Sequence, residues 1–138
     1  MMMWPLTALA MVAVQTGAPS PVGHWRNPRG TVVIAVAPCG EALCGTVTWA
    51  SDQAIADARR GGTEPLVGTE LLSRFVPAGA DRWKGSLFVP DVNKRSKAEL
   101  RLVGPDRLKV SGCAVGRLLC KSQVWTRTEA RLAQPPPK

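Results

Sequence analysis

A two-residue rhythm runs through most of this chain and leaves few architectures open to it. From Lys97 to Leu102 polar and apolar residues alternate, so an extended backbone would bury one face and wet the other. Arg107, Lys109 and Ser111 against Leu108, Val110 and Gly112 repeat the pattern, as do Thr46 and Thr48 against Val47 and Trp49. Thr31 to Val36 is a more continuous run rich in β-branched residues. Further strands are predicted at Gly23 to Arg26, Thr69 to Val76, Trp83 to Val89 and Leu119 to Thr128. Turn formers break the chain at Asn27 to Gly30, Pro77 to Gly79, Pro90 to Asn93 and Gly104 to Asp106. About eight strands at near-regular spacing are the pattern of an all-β antiparallel barrel or sandwich. Only one segment reads otherwise: Ser51 is placed to cap a short helix through Ala58 that stops at Gly61 and Gly62.

The flanks have a different composition. Residues 1–18 carry no charged side chain, and Leu6 to Val14 is apolar apart from Thr7. Nine helical residues rise only about 14 Å, roughly half a bilayer core, so the segment is too short to span a membrane. The expectation is a secretory signal peptide over 1–18 with small residues at Thr16 and Ala18, set against the plainer alternative of a disordered apolar leader. The segment before the apolar run lacks Lys and Arg, Pro19 follows the expected cut, and no Cys marks a lipid-anchored precursor. Residues 19–130 then form one domain of modest core, and 131–138, with Pro135, Pro136 and Pro137, read as a disordered tail.

Eighteen Lys and Arg against ten Asp and Glu give a net charge of +8. The cations are scattered, the densest run being Lys94, Arg95 and Lys97. Such a domain is drawn to anionic lipid headgroups or acidic polymers, unless the charge is simply a solvated surface. Nucleic acid is a poor fit, because the chain has no Tyr and only two Phe to stack on bases.

Four cysteines admit three pairings. Cys39 and Cys44 flank a four-residue turn, and Cys113 and Cys120 flank six residues, so each pair can close its own hairpin. A zinc site built from all four is the competing reading. It lacks the usual pairs two residues apart, and an oxidising compartment favours bridges. No metal or cofactor is expected. Nor is catalysis: His24 is the only histidine and alternates with Trp25, and no Gly-rich loop stands between a strand and a helix.

Several ordered blocks share a pattern with a known family. Gly23-His24-Trp25, Cys44-Gly45 with Val47 and Trp49, Pro65-Leu66-Val67-Gly68, Trp83-Lys84-Gly85, Leu108-Lys109-Val110 with Gly112, and Gln123-Val124-Trp125-Thr126-Arg127 resemble the exported bacterial proteins grouped as domain of unknown function 2147. The resemblance runs from Gly23 to about Thr128, and departs from the family at Pro90 to Ser96, where a Gly turn followed by Tyr is the rule. It implies a small, closed, lipocalin-like antiparallel barrel. It also implies structural roles for Trp25, packed at the closed end, and for Arg127, laid over its ring.

A barrel of eight strands either fills with side chains or holds one small ligand. On the last strand Leu119, Lys121, Gln123, Trp125 and Arg127 share a face. If that face is the lumen, Gln123 and Lys121 are polar groups in an apolar cavity, the usual means of orienting a small molecule. The alternative places them at a rim or against neighbouring strands. Trp49, Trp83, Gln123 and Trp125 are the candidate ligand contacts. The expected function is therefore non-enzymatic binding of a small amphipathic or anionic molecule in the cell envelope. A structural or partner-binding envelope role through the basic surface, with a filled barrel, is the alternative; contact with anionic envelope lipids is a further expectation.

Overall fold

Every predicted strand forms, and the strands close on themselves. The computed structural model describes Met3 and residues 20–114 and 119–129, without the side chains of residues 114, 119 and 120. Eight strands follow in order: β1 (Gly23–Arg26), β2 (Val32–Cys39), β3 (Ala42–Ala50), β4 (Glu70–Pro77), β5 (Arg82–Val89), β6 (Lys94–Gly104), β7 (Arg107–Ala114) and β8 (Leu119–Thr128). Each pairs antiparallel with the next, and β1 pairs with β8 through Trp25 opposite Arg127, so the sheet is a closed barrel. Closure satisfies the edge strands that an open sheet would leave exposed. The expected segments 1–18 and 131–138 lie, Met3 apart, outside the described residues.

The helix α1 (Asp52–Arg60) occupies the segment that breaks the alternation. Ser51 is its N-cap, its hydroxyl accepting from the Ala54 amide at 3.1 Å, and Gly61 closes its C-terminus. Asp52 in the first turn and Arg59 and Arg60 in the last complement the helix dipole. Among the described residues no helix is long and apolar enough to cross a membrane.

The core is the barrel interior. Trp25, Ile34, Val36, Val47, Leu72, Phe75, Leu100, Leu108 and Trp125 are all buried in one cluster. Two β-bulges set which residues reach it. In β4 the register with β5 shifts between Ser73 and Val76, and Arg74 takes a left-handed φ of 56°. The extra residue lets Leu72 and Phe75, three apart, both point inward. In β3, Ile34 pairs with Val47 but Val33 pairs with Trp49, leaving Thr48 as the unpaired residue. The alternation read from Thr46 to Trp49 therefore breaks at Thr48. Val47 stays inside, whereas Trp49 shares the outer face with Val33 and Arg26.

A disulfide joins Cys39 to Cys44 across the β2–β3 turn, with the Cα atoms 5.8 Å apart. Cys113 is also disulfide-bonded and stands opposite Cys120 in the β7–β8 register; the Cys120 side chain of the second expected bridge lies outside the described set.

Candidate functional site

At one end the barrel is stoppered by Trp25 and Arg127. Trp25 is fully buried, and its indole N–H donates to the Pro21 carbonyl at 2.8 Å. The Arg127 guanidinium lies over the ring at 4.4 Å from its centroid. Its nitrogens then fan out: Nε donates to the Pro105 carbonyl (3.0 Å), Nη1 to Val22 (2.8 Å) and Nη2 to Ser20 (2.7 Å). Planar donors suit this use, since one guanidinium reaches the β6–β7 turn and two residues of the entering chain at once. Gly23, with φ 137°, leaves the space that Nη1 occupies. The arrangement seals this end and ties the entry of β1 to the exit of β8.

Inside, the lumen is filled unevenly. On the β3–β5 side, Leu72 packs where a side chain at Gly45 would lie, and Phe75 does the same over Gly85. The glycines there make room for large neighbours rather than for a ligand. On the β6–β8 side the inward rows are Trp83, Leu100, Val110 and Gln123, then Gly85, Ala98, Gly112 and Lys121. Trp125, paired with Leu108, forms an apolar floor and is 8% exposed. Gln123 and Lys121 on the same face are exposed to solvent. Gln123 Oε1 accepts from the Trp125 indole N–H at 3.2 Å.

Across the far end runs α1. It starts beside β2, where the Ser51 amide donates to the Thr31 carbonyl, and ends on the β5–β6 turn, where the Thr63 hydroxyl donates to the Pro90 carbonyl at 2.9 Å. Gly61 abuts the Asp91 backbone so closely that no side chain would fit between them. Ala58 is fully buried, and Ala54 and Ile55 pack against the core. The helix thus spans the mouth from the β1–β2 turn to the β5–β6 turn.

Of the residues singled out from sequence, the fold brings Gln123 and Trp125 into contact and places half-buried Trp83 in the same inward row as Gln123. Trp49 is separated from them by the bulge, half-buried on the outer face. Leu87, Ser96 and Gly112, not among the residues singled out from sequence, meet beside Lys121: a Cβ on Gly112 would lie 3.2 Å from Leu87 and 3.3 Å from the Ser96 hydroxyl. The inward residues of β7, shrinking from Leu108 through Val110 to Gly112, were the available signal. Among the described residues no three His, Cys, Asp or Glu side chains gather where they could hold a metal ion, and no buried side-chain polar atom lacks a hydrogen-bond partner.

Comparison with known proteins agrees with this geometry. Residues 23–127 match the model of a family described as an uncharacterized protein conserved in bacteria, DUF2147. Among solved structures the chain is similar to protein HP1028 from the human pathogen Helicobacter pylori, described as belonging to the lipocalin family. The TM-score is 0.63 at 9% identity, covering 83% of this chain and 87% of that one. At that identity the likeness shows the lipocalin-like fold alone. No curated protein matches the sequence.

Proposed function

The chain belongs to the DUF2147 family and folds as a lipocalin-like barrel, and from that premise we propose that it binds a small amphipathic molecule in its lumen. The observation that carries the reading is the exposure of Lys121 and Gln123 on the same face as buried Trp125. An apolar floor with two polar groups above it, one of them cationic, suits a ligand with an apolar body and an anionic or carbonyl head. Ala98, Val110, Leu87 and Trp125 offer the apolar contact; Lys121 and Gln123 offer charge and a hydrogen bond. Trp49, turned outward, takes no part. Burying about 300 Å² of apolar ligand surface gains roughly 7 kcal/mol before entropic losses, enough for micromolar affinity when the site is preformed. The Cys39–Cys44 bridge and the apolar leader support placing this activity outside the cytoplasm, in the periplasm or beyond. No part of the reading requires catalysis.

Intrinsic fluorescence tests it, since the chain has no Tyr. Medium-chain fatty acids, lysophospholipids and aromatic acids should change tryptophan emission saturably, with an affinity that persists in high salt and weakens in Gln123→Leu. Native mass spectrometry of gently purified protein should show a co-purified small molecule. Only linear, salt-sensitive responses across the panel, together with an empty protein, would mean a barrel that holds nothing.

A further inference from the structure

The outer wall of β5, β6 and β7 carries an arrangement of charge that stability alone does not account for. Outward positions on these strands alternate with the core residues, and the register lines them up across the sheet. Arg82 stands opposite Arg101, and Arg101 opposite Lys109. Three cations thus lie side by side on adjacent strands about 4.8 Å apart, and like charges directly opposed in a ladder are destabilising. The neighbouring row, Lys84, Glu99 and Ser111, holds the single outward carboxylate of the face, and Glu99 is engaged by Arg82 at 3.7 Å. Lys97 and Arg107 extend the positive field along the strands. Among the described residues no carboxylate pairs with Lys84, Lys97, Arg101, Arg107 or Lys109.

We infer that this face docks on an anionic lipid bilayer. The inference is independent of what the lumen holds. The cations are spread over the convex wall of three adjacent strands rather than gathered in a groove, which fits a broad, flat partner. Val76, Val103 and Val124, at 40–47% exposed, border the same cations; Val76 is opposite Lys84 and Val124 opposite Lys109. Exposed valines among cations suit the boundary between headgroups and acyl chains. A nucleic acid would want open aromatic faces. The aromatic residue turned outward on these three strands is Phe88, and Arg95 covers it at 5.3 Å.

The experiment is vesicle flotation of the full chain, so that whatever the leading residues contribute is common to every variant. Parent protein should float with phosphatidylcholine vesicles containing phosphatidylglycerol, not with phosphatidylcholine alone, and the bound fraction should fall as salt rises. Each cation near an anionic surface strengthens partitioning about fivefold, so Arg101→Gln with Lys109→Gln should weaken it about 25-fold. Because that change relieves a like-charge row, its melting temperature should not drop. Arg59→Gln with Arg60→Gln removes the same net charge from α1 and should leave flotation as in the parent. Absence of flotation, or equal loss in both double variants, would overturn the inference. Displacement from the vesicles by a sulfated polysaccharide or duplex DNA at equal charge would assign the face to a polymer instead.

Discussion

Arg127 concentrates more of the fold in one side chain than any other residue of the barrel. It combines a cation–π contact with three charge-assisted bonds to the carbonyls of Pro105, Val22 and Ser20. Arg127→Ala should lower stability by about 2–4 kcal/mol, given that the guanidinium is partly shielded and each such contact is worth roughly 1 kcal/mol. Arg127→Lys should recover less than half, because a single ammonium cannot reach three divergent carbonyls in one plane. Urea unfolding reads both, and lumen affinity measured on the folded alanine variant should be unchanged. The pairing of Trp25 with Arg127 was legible in the sequence through the pattern of the family it resembles. The carbonyls were not, because Ser20 and Val22 are more than a hundred residues away along the chain and Pro105 sits in a turn whose direction no local pattern encodes.

Among the elements, the β2–β3 hairpin is held by covalent means. Its bridge closes a loop of five residues' separation, and the chain-entropy account assigns such a loop about 2 kcal/mol. The double variant Cys39→Ser and Cys44→Ser should therefore fold but melt several degrees lower, while reductant should shift the parent toward it; calorimetry separates the two. The hairpin was readable from cysteine spacing, and α1 from Ser51 and the paired glycines, since both depend on neighbours in sequence. The bulges were not readable. Alternation identifies a strand but carries no mark where its phase slips, and the Thr48 slip moves Trp49 to the opposite face. Likewise nothing local to β4 announces that Leu72 and Phe75 both turn inward. That depends on Arg74 accepting a left-handed backbone so that two glycines on adjacent strands can be covered.

At the scale of the whole molecule, closure of β1 on β8 makes a vessel sealed at one end by Trp25 and Arg127 and crossed at the other by α1. The helix laid across its mouth is fixed at both ends, by Ser51 near β2 and by Gly61 and Thr63 on the β5–β6 turn. A tether of this kind acts on time rather than on strength. The groups proposed to hold a guest lie on β5 to β8 and none belongs to α1, so loosening the tether should alter how often the interior is visited and not how long-lived a visit is relative to its rarity. Gly61→Ala forces a methyl group against the Asp91 backbone, a crowding worth about 1–3 kcal/mol. In stopped-flow fluorescence it should raise the association and dissociation rate constants by the same factor, leaving their ratio where it was. Under the proposed lumen reading, affinity and residence time would then be set in different places, the first by the wall of the barrel and the second by a single glycine on the rim.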